Sequence, residues 1–239
     1  MRVESGNALR FVPPRGGEGR YGDYELRVFE TGRVETRPGN KHDLFNALAW
    51  FSFPRTKARL NALHAAAIPG EKGRRGRFRD LLTIVDEGGA IVACGEADLI
   101  DMLRGFRWQA LFWQQRARVL RAMRIQVLGH AVLEKALEPW PGITCKAIFV
   151  DPRSDADAQA AAWLGGLAKD ATPKDLAPLP IFGFPGWFPE NARREFYEDE
   201  RYFRPFKDRI DVGVGQAAAM AHCEMSMEES PGSAERDAG

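Results

Sequence analysis

Three separate stretches of the chain each set an imidazole beside a second polar side chain at helical spacing. In His42-Asp43-Leu44-Phe45-Asn46-Ala47-Leu48, a step of about 100° per residue puts His42, Asn46 and Trp50 on one face with Asp43 at its edge. Leu44, Leu48 and Phe51 take the opposite face, so both faces need cover. In Leu60-Asn61-Ala62-Leu63-His64, Asn61 and His64 stand three apart and project together. His130 and Glu134 in Gly129-His130-Ala131-Val132-Leu133-Glu134, four apart, do likewise. A buried imidazole or carboxylate loses solvation and needs hydrogen bonds, a countercharge or a metal in return. Three such pairs on apolar helices predict one shared polar interior.

Neutral imidazoles from His42, His64 and His130, with a carboxylate from Asp43 or Glu134, form a mixed nitrogen and oxygen donor set suited to a divalent zinc, manganese or iron ion. Such an ion would acidify a bound water into a nucleophile near neutral pH, so metal-assisted hydrolysis is the expected chemistry. Glu134 is a candidate catalytic acid or base, as are Asp86 and Glu87, placed at the tip of an expected hairpin. Asn46, Asn61, Arg79 and Trp187 are the candidate binding residues, and a phosphoester is the favoured small-molecule substrate because arginines lie near in sequence. The set matches no standard motif: it lacks HExxH, the paired ExxH of di-iron bundles, and the histidine that precedes the His-Asp pair in HD-type phosphohydrolases.

Two rival readings come from the same residues. The polar groups can form a hydrogen-bond network that only fixes how helices sit against one another, which would leave a non-enzymatic binding or adaptor protein. Alternatively, Arg104, Arg107, Arg118 and Arg121 share an arc of an expected helix near 104–124, and with Lys72, Arg74, Arg75, Arg77 and Arg79 they would hold nucleic-acid phosphates beside Trp113. Arginine rows on amphipathic helices are usually solvated faces, which weighs against that reading. Gly213-Val214-Gly215-Gln216-Ala217-Ala218 mimics a dinucleotide fingerprint, but too little chain follows it to complete the unit. There is no P-loop ending, no GxSxG elbow and no activated cysteine context.

The elements that must position these groups are legible from pattern and punctuation. Tyr24 to Val28 alternates like a half-buried strand, Thr31-Gly32 turns, and Val34 to Arg37 returns as the second strand of a hairpin. Asn40 N-caps a helix that Phe53-Pro54 stops, and a second helix runs from about Arg55 to Ala67, where Pro69-Gly70 closes it. Leu81 to Val85 and Ala90 to Cys94 flank Asp86-Glu87-Gly88-Gly89 as a second hairpin. Helices are expected at about 96–104, 106–121 and 124–138, a strand at Ile143 to Val150, and an Ala-rich helix over roughly 155–169. From Leu179 a Pro-, Gly- and Phe-rich stretch reads as a packed irregular loop. The order predicts an α+β fold, helices around a small, mainly antiparallel sheet.

With 239 residues, 44% hydrophobic and 28% charged, the chain can bury one full core. The expected organisation is an extended arm over 1–22, one globular domain over 23–212 and a flexible tail over 213–239 that includes His222. Thirty-four Lys and Arg against 33 Asp and Glu leave a net charge of +1, with no long-range pull on nucleic acid or an anionic membrane. The cysteines Cys94, Cys145 and Cys223 are odd in number, widely spaced and without a CxxC pairing, which argues against a disulfide framework or a thiolate zinc knuckle and fits a reducing cytoplasm. No apolar run approaches the ~20 residues that span a bilayer, and MRVESGNALRFVPPRGG lacks the apolar core of a signal peptide, so a soluble, unexported protein is the expectation.

TRPGNKHDLFNALAWFSFP, LNALH, RDLLTIVDEGG, GHAVLEK, and PLPIFGFPGW followed by FYEDERYFRP, in that order, resemble a bacterial family of domains of unknown function. The resemblance covers most of the chain from about Tyr24 to Pro205. Where the family pattern sets a Trp before the His-Asp pair, this chain has Lys41, which makes the approach to the pair more polar. The resemblance implies a shared fold and a shared site on these positions, and it brings no reaction with it.

Overall fold

Helical spacing wins over strand alternation at two places where the sequence supports both. The computed structural model describes residues 1–14, 23–71 and 75–205. In chain order the elements are strand β1 (Arg10–Val12), helix α1 (Asp23–Thr31), strand β2 (Arg33–Glu35), and helices α2 (Lys41–Ser52), α3 (Pro54–Ala67) and α4 (Arg77–Gly88). Strand β3 (Gly89–Cys94) and helix α5 (Ala97–Arg104) follow, then helix α6 (Arg116–Ala122), strand β4 (Met123–Val127), helix α7 (His130–Lys135), strand β5 (Thr144–Val150), helix α8 (Ala156–Gly165) and strand β6 (Ala177–Pro180).

Both expected hairpins are corrected by this order. Tyr24 to Val28 lies in α1, not in a strand, and Gly32, at φ 68°, ends that helix, where a Cβ would sit 2.2 Å from the Ala8 carbonyl oxygen. The β2 strand pairs in parallel with β1 instead of folding back on its predecessor. Leu81, Leu82 and Val85 are buried at helical spacing in α4, while Ile84 faces out. Gly88-Gly89 closes that helix, the Gly89 N–H capping the Val85 carbonyl, so Asp86 and Glu87 sit in a last helical turn and not at a hairpin tip. Gly-rich dipeptides end helices as readily as they turn hairpins, and burial decides between the two.

The expected helix over 124–138 divides into β4 and α7, because Met123 and Ile125 are buried while Arg124 and Gln126 are exposed, a period of two. The arginine arc is broken too. The chain turns at Phe106 (φ 57°) and passes through a π-helical turn, Gln109–Gln114, before α6 begins. Arg104 then stacks over Phe149, and Arg118 pairs with Glu96 and Asp98, so these two arginines are engaged within the fold.

A four-stranded sheet in the order β4-β3-β5-β6 forms the centre, with β3-β4 and β5-β6 antiparallel and β3-β5 parallel. Ala90, Val92, Cys94, Cys145 and Ala147 point to one face, covered by α5, the π turn and the aromatic segment after β6. Ile91, Ile148 and Val150 point to the other, covered by α3, α4 and α8. The fold is α+β, and the described residues all lie in one unit spanning Met1–Asp208. Of the expected N-terminal arm, Val3 is buried and Arg10–Val12 is a strand; residues 15–22, the expected tail with His222, and the 213–218 fingerprint lie outside the described residues. On α2, Leu44, Leu48 and Phe51 stay exposed, apart from a ring contact of Phe51 with Phe11. No helix among the described residues is long and apolar enough to cross a membrane.

The Pro- and Gly-rich stretch after β6 is organised by Asn191, which sequence reasoning passed over. Its buried amide donates to the carbonyls of Phe182 (2.8 Å) and Phe184 (2.7 Å), and its carbonyl accepts from the Gly186 N–H (3.2 Å). Asn191→Ala is expected to cost about 2 kcal/mol by leaving buried backbone carbonyls unpaired, which urea unfolding would read.

Candidate functional site

Helices α1, α2, α3, α4 and α7 enclose a polar cavity of about 300 Å³, with His42, His64 and His130 in its wall beside Tyr24, Glu25 and Asp86. Local sequence explains the aim of each ring. Asn40 accepts from the Asp43 N–H (2.9 Å) and starts α2 so that His42 stands in its first turn, opposite α7. Gly129 precedes α7 and brings His130 against the end of α4, where a larger residue would strike backbone.

His42 and His130 meet edge to face, ring centroids 4.5 Å apart at 73°. Their Nε2 atoms are 3.0 Å apart. His130 Nδ1 lies 2.9 Å from the Asp86 backbone carbonyl, which can only accept, so the Nδ1 hydrogen points there. His42 Nδ1 donates to the Glu134 carboxylate at 2.9 Å. With both Nδ1 atoms committed as donors, two neutral rings would turn bare lone pairs toward each other at Nε2. A cation between the nitrogens, either a shared proton or a metal ion, would relieve that repulsion. Burial, with the Lys57 charge nearby, pushes the His130 pKa down against the pull of Asp86.

Behind this pair lies a buried lysine. Lys57, 4% exposed, pairs with Asp86 and donates to Asn46 Oδ1 at 2.8 Å. Burial works to raise the Asp86 pKa, but the Lys57 charge in contact, helped by His130, overrides it and holds the carboxyl below its usual range. Further along α3, Asn61 donates to the backbone carbonyl and carboxylate of Glu25, at 2.9 and 2.8 Å, and burial raises the Glu25 pKa against that bond. Asn46 donates to the Tyr24 hydroxyl at 3.2 Å. His64 Nδ1 faces the Nε of Arg79 at 3.1 Å, and Arg79 is itself paired with Glu71 at 2.9 Å.

The expected metal set does not assemble as drawn. Asp43 is turned toward Arg37, whose Nε and Nη2 hold its two oxygens at 2.8 Å each and keep its pKa below the usual carboxylate range. His64 is engaged by Arg79, and among the described residues no three His, Cys, Asp or Glu side chains are gathered closely enough to hold an ion. What converges is two imidazole nitrogens, one fewer than the three protein ligands usual for catalytic zinc. Asp86, Glu87, Asn46 and Arg79 do line the cavity; Glu134 and Asn61 act one layer behind it. Trp187 does not line it, and packs edge to face on Phe184 in the loop after β6.

Sequence reasoning missed Lys57, Tyr24, Glu25 and Glu71. Lys57 carried a signal: 57, 61 and 64 share one face of α3, so a lysine stood in register with Asn61 and His64. Glu25 was hidden by reading α1 as a strand.

A family model described as "Protein of unknown function (DUF3025)" matches residues 9–207. No curated protein and no solved structure matches the chain.

Proposed function

The chain belongs to this family of proteins of unknown function, and from that premise we propose, on the chemistry of the cavity alone, that it is an acid–base hydrolase of a small polar substrate, with His42 and His130 as its proton-transfer pair. The observation that carries this reading is the 3.0 Å contact between two Nε2 atoms whose Nδ1 partners are both fixed. A proton held there can pass to a leaving group while water attacks, and the proton released by that water refills the pair, so the cycle closes. Among the described residues the cavity is lined by neither serine nor cysteine, its hydroxyls being those of Thr83 and the Tyr24 phenol, and the reading takes water as the attacking group. Glu134 and the Asp86 carbonyl orient the rings, and the Lys57–Asp86 pair anchors the floor.

A divalent ion in place of the shared proton is the second reading, favoured by Nδ1 partners of the kind that orient metal-bound histidines. Its shortfall is the third protein ligand.

Hydrolysis of chromogenic carboxylic ester, amide and phosphoester probes, run with metal analysis of the same preparations, tests the proposal. In His42→Ala and His130→Ala variants that keep the wild-type circular dichroism, turnover of the best probe is expected to fall at least about 100-fold. Stoichiometric metal lost in both variants would replace the proton by an ion. Variants as active as wild type but much less stable would mark the pair as a structural network.

A further inference from the structure

Given that the cavity is an acid–base site, we propose that His64 receives the substrate's acceptor oxygen, presenting a fixed Nε2–H to a neutral carbonyl group. The assignment follows from what its neighbour can and cannot do. A guanidinium has donors only, so the 3.1 Å approach of Arg79 Nε makes His64 Nδ1 a lone-pair acceptor. A neutral imidazole with its lone pair at Nδ1 carries its hydrogen at Nε2. Arg79 is not free to turn away, because Glu71 holds its Nη1 at 2.9 Å and is itself tied to the Gly76 N–H at 2.7 Å. No described residue takes the His64 Nε2–H, and the ring stands in the cavity wall. A donor pinned in this way polarises a carbonyl without being able to act as a base, the complement of the His42 and His130 pair.

Charge selects a neutral acceptor. Among the described residues each cation beside the cavity already faces a carboxylate: Lys57 meets Asp86, Arg79 meets Glu71 at 2.9 Å and Arg75 meets Asp80 at 3.1 Å. The wall adds Glu25 and Glu87. A phosphate dianion would enter against these carboxylates, whereas an ester or amide carbonyl needs only the hydrogen bond.

Burial lowers the His64 pKa to about 4, with the charges of Arg79, Arg75 and Lys57 adding to the effect and Asp86 opposing it. The unfolded value is about 6.5. Its folded pKa being the lower, the contribution of neutral His64 to stability is complete above the unfolded value and is lost as pH falls from about 6.5 toward 4. His64→Gln should flatten the pH dependence of stability across that window.

Long-range 1H–15N spectra of the uniformly labelled full chain test the assignment without knowledge of the substrate. His64 is expected to carry its proton on Nε2 from about pH 8 down to about pH 5. Millimolar acetamide should shift that signal; inorganic phosphate and methylammonium should not. A proton on Nδ1, titration near 6.5, or a larger response to phosphate than to acetamide would overturn the proposal. His42→Ala separates the two readings, since it should abolish turnover yet keep the His64 tautomer and its acetamide response.

Discussion

Lys57→Ala should lower unfolding free energy by about 3–5 kcal/mol, the cost of stranding a buried charge whose partner has been removed. Lys57 is 4% exposed and spans two partners, the Asp86 carboxylate and Asn46 Oδ1 at 2.8 Å, while its charge also sits over the Trp50 ring at 5.5 Å from the centroid. Removing the ammonium leaves the Asp86 carboxylate with His130 Nδ1 3.7 Å away and no cation at bonding distance, and leaves the Asn46 side-chain carbonyl without its donor. Lys57→Met combined with Asp86→Leu should recover a large part of the loss, since removing both charges also removes their desolvation.

The pH dependence carries its own sign. The Asp86 pKa is held below its usual value in the folded protein, so the stabilisation belongs to the range above the unfolded carboxyl pKa of about 3.9 and is lost as pH falls through the folded value. The gap between wild type and Lys57→Ala in urea unfolding should therefore be full near neutrality and shrink below about pH 4. A Lys57→Ala protein within about 1 kcal/mol of wild type at pH 7 would mean that the pair is solvated and worth only what a surface ion pair is worth.

What the sequence disclosed and what it hid divide along one physical line. Elements bounded by strong punctuation, such as α2 between Asn40 and Phe53-Pro54 and α3 up to Pro69-Gly70, were readable because caps and prolines act locally. The meeting of His42, His64 and His130 around one cavity followed from the same local spacing. Leu81 to Val85 and Tyr24 to Val28 misled because five apolar-rich residues fit either period, and only contact with distant α7 or α3 settles which faces are covered. The role of each carboxylate was least legible. Asp43 next to His42 goes to Arg37, whereas Glu134, 92 positions away, goes to His42, and long-range pairings of that kind leave no spacing to read.

Gly129→Ala is expected to cost about 3 kcal/mol and to dissolve the histidine pair, although it adds one methyl at a position outside the cavity lining. An alanine Cβ at 129 would lie 2.6 Å from both the Glu87 carbonyl oxygen and Gly88 Cα, and 2.7 Å from the Gly88 nitrogen. These are backbone atoms at the end of α4, and they are held in place because the Gly89 carbonyl accepts from the N–H groups of Leu128 (3.0 Å) and Gly129 (2.8 Å). No rotamer relieves such a clash. The α7 helix must instead move away from α4, which lengthens the bond from His130 Nδ1 to the Asp86 carbonyl, frees the ring to rotate, and removes the constraint that fixes its Nε2 toward His42. Gly70→Ala, where no neighbour lies within 4 Å, is the control and should stay within about 0.5 kcal/mol of wild type. Thermal unfolding and the imidazole resonances together read the outcome. If Gly129→Ala kept both the wild-type melting temperature and the wild-type imidazole resonances of His42 and His130, the close approach of α7 to α4 would not be what holds the pair together.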